Sequence, residues 1–292
     1  MEPLWKKLND ICDAQPYVTG WYVKNLLDGS EHEREGERIF PTASTRKTSI
    51  LMAVLGEVNA GRLHLDEPIV YEERLRTGVV SGTFKFLQPG FTITLKDALV
   101  QMMVISDNVC TAMVMERISI DTLNAFCRRA GLNGTVHRTS VPRPDLPPDH
   151  DLLEVTTTTP RDQGRLYDLI LRGITEPAVA LLLGCTAEQC RWAVEVMSWQ
   201  KLRTKIAQRL PEDTFVAHKG GTGKRGRMDC GIVYRRGQPL FIMAAYTDGV
   251  PRTMPDGMPG FFSVFNCIGS MSRECWDSLG SRQDEMLRNV AT

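Results

Sequence analysis

Apolar and polar positions alternate with three successive rhythms along the chain. The first run, "LWKKLNDIC", puts Leu4, Trp5, Leu8, Ile11 and Cys12 on one side of a helix. Next, "YVTGWYVKNLLDGSEHEREGERIF" reads as two extended runs around Asp28-Gly29-Ser30, a hairpin. From Ser44 to about Gly61 the period becomes helical, with Ile50, Leu51, Val54, Leu55 and Val58 recurring on one side. The chain stays mostly helical up to about residue 200. Thr94 is placed as an N-cap with Asp97 three residues on, Asp121 as the N-cap of "IDTLNAFCRRAG", and Gly131 as its stop. Thr159-Pro160 opens a further helix. Between Gly134 and Thr159 runs a polar, proline-rich connection without periodicity, a length that inside a compact domain marks a functional or disordered loop. The last third returns to strands, "TFVAHKGG", "MDCGIVYRR" and "QPLFIMAAYT", the latter two joined across Arg236-Gly237. A closing helix from about Phe261 offers Phe265, Ile268, Trp276 and Leu279 to a core.

This order predicts an α/β (α+β) fold. An antiparallel sheet is assembled from both chain ends and flanked by helices, with an all-helical subdomain inserted. Residues 1–45 and 200–292 form the α/β subdomain and 46–199 the helical one, with a ligand cleft expected between them.

Composition narrows the partners. The chain has 292 residues, 42% apolar and 24% charged, with 35 basic and 35 acidic side chains. A net charge of zero gives no footprint for nucleic acid, and no apolar run is long enough for membrane insertion. A small-molecule substrate and a monomer are expected. The N-terminus lacks the basic-then-apolar pattern of a signal peptide, so the sequence as it stands reads as cytoplasmic, or as secreted or periplasmic if an export signal has been removed. Eight cysteines without CxxC spacing or histidine clustering read as buried reduced thiols rather than a zinc site. No metal and no organic cofactor is implied.

Chemistry concentrates in "PTASTRKTSI", where Ser44 and Lys47 stand one helical turn apart. A serine beside a desolvated lysine can lose its proton to the amine, and a serine at a helix start has an unpaired backbone N–H for a developing oxyanion. The spacing alone occurs about once by chance in such a chain. Two further elements follow in order: "SDN" at Ser106-Asp107-Asn108 and "HKGGTG" from His218 to Gly223.

The three elements together resemble the penicillin-recognising serine enzymes, class A β-lactamases and penicillin-binding proteins, whose signature is S-x-x-K, S-D-N and K-T-G. "TGVVSGTFKFLQPGFTITLKDALVQMMVISDN", "TTTTPRDQGRLYDLIL" and "MDCGIVY" resemble the segments that surround these motifs in that family, so the likeness runs from about residue 15 to 280. The resemblance implies Ser44 as acylated nucleophile, Lys47 as base or proton relay, and Ser106 as proton donor to the leaving group. It implies Lys219 as a charge near Ser106 and the substrate carboxylate, and Asn108 as an amide-binding group that also holds Lys47. The backbone N–H groups of Ser44 and Thr222 would form the oxyanion hole, with Gly221, Thr222 and Gly223 lining the substrate.

Two departures from the family stand out. Gly220 replaces the hydroxyl residue of K-T-G, leaving Thr222, Arg225 or Arg227 to contact a carboxylate. The loop glutamate that activates water in class A enzymes is not evident in "VPRPDLPPDHD". Arg143 falls near its place, Asp145 has the nearest context, and Asp149, Asp151 and Glu154 are further candidates. The expected activity is therefore hydrolysis of β-lactam amides through an acyl-enzyme, weakly. The alternatives are an esterase or amidase/D-peptidase using the same serine, and a covalent β-lactam sensor or non-catalytic binding protein.

Overall fold

The computed structural model describes residues 3–143 and 145–290. Helix α1 (Leu4–Asp13) turns Leu4, Leu8 and Cys12 inward, and Trp5 stacks on His32 at a centroid distance of 3.4 Å. Strands β1 (Val18–Asn25) and β2 (Glu31–Arg34) form the hairpin across Asp28-Gly29-Ser30, where Gly29 takes a φ of 77°. A two-residue strand β3 (Phe40–Pro41) then leads into α2 (Lys47–Asn59), closed by Gly61 at φ 71°.

The stretch after α2 is less helical than its pattern suggests. Short strands β4 (Pro68–Val70) and β5 (Thr92–Thr94) pair there, with 3₁₀ turns between them. Helix α3 (Leu95–Val104) starts in a full capping box of Thr94 and Asp97, and α4 (Asn108–Met115) follows. Helix α5 (Ile120–Arg129) begins two residues earlier than expected: Ser119, with extended backbone and its Oγ accepting from Thr122 N, is the cap. Asp121 sits in the first turn, where a carboxylate still meets the helix dipole favourably. The long connection ends in β6 (Thr157–Thr158), which pairs with β3 and precedes α6 (Pro160–Gly173), capped by Thr159. Helices α7 (Pro177–Leu183) and α8 (Ala187–Ser198) complete the helical stretch.

Strands β7 (Val216–Thr222), β8 (Arg227–Arg235) and β9 (Gln238–Asp248) then complete one antiparallel sheet in the order β2-β1-β9-β8-β7. Both chain ends supply it, β1 lying directly against β9. Helix α9 (Gly260–Val290) closes the chain, burying Val264, Cys267, Ile268, Met271, Cys275 and Leu279. Phe265 and Trp276 lie half-buried at its border, about a quarter-turn off the stripe that faces the sheet.

Side-chain alternation divides the sheet's contacts between two cores. Trp21, Val23, Phe241, Met243 and Ala245 pack with α1 and α9. Tyr22, Ile242, Ala244 and Tyr246 share the second core with α2 to α8. The helical segment thus shares its core with the sheet, and α6 lies so close to β1 that a Cβ on Gly164 would fall 2.0 Å from the Tyr22 ring. All eight cysteines are buried and free. Among the described residues no helix is long and apolar enough to cross a membrane.

Candidate active site

Three elements meet at the end of β7: the turn before α2, the turn before α4, and the edge strand itself. The first is fixed by β3. Thr42 donates its N–H and its hydroxyl to Thr156 O, at 2.9 and 3.0 Å. Ala43 then adopts a left-handed φ of 43°, and residues Ala43–Arg46 wind a 3₁₀ turn that runs into α2. With three residues per turn, Ser44 and Lys47 are eclipsed on one side. Thr45 anchors the turn to β9 through a 2.7 Å hydrogen bond with Tyr246 OH. Ser44 remains partly exposed while Lys47 is 1% exposed.

The second element is built around Asp107. Its fully buried carboxylate accepts four backbone N–H groups: Val109 and Cys110 at the start of α4, and Thr83 and Phe84 across the cleft wall, all at 2.7–3.0 Å. This clamp holds Ser106 at φ 59°, a conformation that costs a serine about 1 kcal/mol or more and is repaid by the clamp. Lys47 Nζ donates to Ser106 O at 2.9 Å, Ser106 Oγ at 3.1 Å and Asn108 Oδ1 at 2.7 Å. Lys219 Nζ, from β7, donates to the same Ser106 Oγ at 3.1 Å and to Gly220 O at 2.9 Å. Burial, then the neighbouring Lys219 charge, push the Lys47 amine well below the usual lysine range. Burial, then the charge of Lys205, lower Lys219 to about 7. Two buried amines on one oxygen cannot cheaply both be cations, so the cluster favours a neutral amine that can act as a base.

The third element is the free edge of β7. Ladder bonds from Tyr234 N to Phe215 O and from Gly223 N to Gly226 O, both 3.0 Å, set which residues of β7 face β8. By alternation, Gly220 and Thr222 turn their N–H and C=O groups outward, away from β8. Glycines flank Thr222 where the edge meets the turn that carries Ser44. A Cβ on Gly221 would stand 3.0 Å from Thr42 O, and one on Gly223 3.6 Å from Ala43 Cβ. The sheet edge around Thr222 and the turn that carries Ser44 thus lie side by side.

Gly220 opens a space that a lysine fills. Lys205 is 3% exposed, and its Nζ lies 3.0 Å from where a Gly220 Cβ would be. The same point lies 3.5 Å from Oδ1 of the buried Asp229, whose charge acts on Lys205, while Lys219 Nζ bonds Gly220 O. Arg225, expected to hold a substrate carboxylate, is committed elsewhere. It donates to both oxygens of Asp248 at 2.7 Å and to His150 O at 2.7 Å. Arg227 likewise donates to Gly223 O and Gly226 O.

The long connection is pinned to the turn that carries Ser44. Buried Arg46, its basicity lowered to about 10 by desolvation, donates to Thr139 O and Ser140 O. Beside it His137 pairs through Nε2 with Ser49 Oγ at 2.9 Å, and burial holds its pKa near 3. The loop carboxylates face outward: Asp145 is 62% exposed and bonds Arg143, which also meets Glu154, while Asp151 caps a 3₁₀ turn through Leu153 N and Asp149 is exposed. Among the described residues none of them bonds a member of the Ser44, Lys47, Ser106, Asn108 and Lys219 cluster.

A profile of the β-lactamase enzyme family matches residues 3–279. The chain belongs to that family. Among solved structures, the fold matches a β-lactamase from Sphaerobacter thermophilus at 22% identity and TM-score 0.80, over 94% of this chain and 98% of that one. It matches PBP-A at 24% identity and TM-score 0.79, over 95% and 96%. A PBP-A mutant captured as an acyl-enzyme complex with penicillin G is 25% identical, with TM-score 0.79 and the same coverage. The sheet flanked by helices, read from the sequence as a β-lactamase-like fold, is the fold of these relatives.

Sequence reasoning named the lysines and serines of the cluster but missed Lys205, Arg46 and the clamp made by Asp107. Lys205 stands in "RTKIAQ", which has no periodicity to single it out. The available signal was indirect: a glycine where the family places a side chain leaves room for another group.

Proposed function

We propose that this member of the β-lactamase family is a serine acyl hydrolase that opens β-lactam amides through an acyl-enzyme on Ser44. Lys47, as a neutral amine, takes the Ser44 proton while Oγ bonds to the carbonyl carbon. The Ser44 and Thr222 N–H groups stabilise the oxyanion, a contribution of about 3–4 kcal/mol per donor in comparable sites. The C–N bond breaks as Ser106 passes its proton to the leaving nitrogen. Lys219 and Lys205, with Thr222 at the same edge, hold the substrate carboxylate, and Asn108 accepts or donates at the substrate amide. The observation that carries this reading is the convergence of Lys47 and Lys219 on Ser106 Oγ, one 3₁₀ turn from Ser44.

Hydrolysis of the acyl-enzyme is the slow step in this proposal, because Asp145 and its neighbours face solvent. That favours a second reading, an esterase or D-peptidase-like amidase whose acyl-enzyme is easier to release. The structural match to PBP-A accords with it. Incubation with a chromogenic cephalosporin, followed by both absorbance and intact mass, separates the two. Turnover lost in Ser44→Ala supports the β-lactamase. A stoichiometric mass gain without turnover supports a stalled acyl-enzyme. Full activity in Ser44→Ala would remove the nucleophile assignment.

A further inference from the structure

Helices α1 and α9 lie side by side with their polar contacts in a fixed register. Lys7 Nζ pairs with Glu274 at 3.0 Å, Cys12 Sγ donates to Met271 Sδ at 3.5 Å, and Gln15 Oε1 accepts from Ser263 Oγ at 2.6 Å. Ser263, Cys267 and Met271 recur every four residues, so they stand on one face of α9, turned to the end of α1. This register brings Cys12 and Cys267 together. Both are buried, and the Cys267 thiol hydrogen-bonds Cys12.

The surroundings of Cys12 suit a thiolate. Thr19 from β1 and Arg34 from β2 both act on its sulfur. Thr19 Oγ1 and Arg34 Nε are buried and lack a hydrogen-bond partner among the described residues, and an anionic sulfur is what such donors would satisfy. The Cys12 thiol is held below its ordinary value, first by the Cys267 hydrogen bond and, against its burial, by Thr19 and Arg34. The other seven thiols are all pushed up. We infer that Cys12 and Cys267 are a redox-active pair, Cys12 attacking and Cys267 resolving, which reacts with a low-molecular-weight disulfide such as oxidised glutathione and bridges α1 to α9. The Cys12 thiolate bonds to one sulfur of the small disulfide, and the other leaves as a thiolate. Cys267 Sγ then bonds to Cys12 Sγ and expels the second. The two protein thiols lose two electrons, the small disulfide is reduced to two thiols, and the two protein protons end on them. Access comes through α1, a ten-residue terminal helix with no side-chain capping hydrogen bond among the described residues; such segments open at least cost. Cys12 and Cys267 belong to the core that α1 and α9 share with the sheet, on the other side from α2, so the pair is independent of the hydrolase reading.

Incubation of the folded protein with oxidised glutathione tests it. The intact mass should fall by two hydrogens, six of the eight cysteines should remain open to alkylation in denaturant, and a non-reducing peptide map should join Cys12 to Cys267. The bridge closes nearly the whole chain into one loop, so the melting temperature is expected to rise by about 5–10 °C and to fall back on reduction. Cys267→Ser should stop at glutathione held on Cys12, and Cys12→Ser should take up none. The wild-type map decides even where a variant does not fold. A bridge between any other pair, or eight thiols still free after overnight incubation, overturns the pairing. Glutathione taken up by Cys267 in Cys12→Ser as fast as by Cys12 in Cys267→Ser overturns the division of roles.

Discussion

Lys47 from α2 and Lys219 from β7 both reach Ser106 Oγ, each at 3.1 Å. A hydroxyl oxygen has two lone pairs, and both are engaged. In the proposed mechanism this hydroxyl, held between the two amines, passes its proton to the leaving group. Ser106→Ala is expected to slow acylation by about 10²–10⁴-fold, the usual weight of a positioned proton donor. Rapid-quench mass spectrometry of the acyl-enzyme reads this directly. A variant that acylates at the wild-type rate would show that the leaving group takes its proton elsewhere.

Lys219 makes the fold's stability depend on alkaline pH. Its folded-state pKa lies at about 7, below the ordinary lysine value of 10.5. Between those values the unfolded chain binds the proton that the folded chain has released. Stability therefore rises with pH across that window, by about 1.4 kcal/mol per unit from this group, and the penalty is fully present below pH 7. In the proposed mechanism activity moves the other way, since a cationic Lys219 would hold the substrate carboxylate. Urea unfolding at pH 7, 8 and 9 should show a shallower rise in Lys219→Met than in wild type. Parallel slopes would mean that the group keeps its proton in the fold.

His137 sets the acid limit. Held neutral by burial with a pKa of about 3 against an ordinary 6.5, it favours the unfolded state as pH falls from 6.5 towards 3. At pH 4 the cost is about 3 kcal/mol. Replacing it by glutamine, which can still bond Ser49, should remove most of the loss of stability between pH 6 and 4 in thermal melts. An unchanged acid limb would assign it to other groups.

Lys205 should govern recognition of the carboxylate. Lys205→Met is expected to raise KM about 10–100-fold for substrates that carry a carboxylate, the value of one charge-assisted contact. The same variant should leave an ester lacking that group unaffected. Adding Gly220→Thr to Lys205→Met fills the vacated space with a hydroxyl and should recover part of the loss. Equal effects on both substrate types would reduce Lys205 to a packing role.

Much of this arrangement was readable in the chain. The S-x-x-K, S-D-N and K-G-G elements are local, and the period changes placed the first at a helix start, the second at a helix end and the third on a strand. Thr94 and Thr159 were legible as caps because cap signals act within one turn. Ser119 was not, since Ser119 and Asp121 both carry cap chemistry and only backbone geometry chooses between them. Arg225 misled for the opposite reason. Its partner, Asp248, lies 23 residues away on β9, and no local pattern announces such a pairing. Asp145 shared the local context of a water-activating carboxylate, yet the path of the loop leaves it facing solvent beside Arg143.

The pairing of β1 with β9 also determines when this protein can first exist. Asn25 ends one strand and Gln238 begins the other. A ribosome making about 5–20 residues per second therefore leaves β1 without its partner for roughly 10–40 s. Throughout that time Trp21, Tyr22 and Val23, buried in the finished fold, have no sheet to cover them. The nascent chain therefore carries an open, apolar edge until its last strand emerges, a template for pairing with another chain that the completed protein no longer presents.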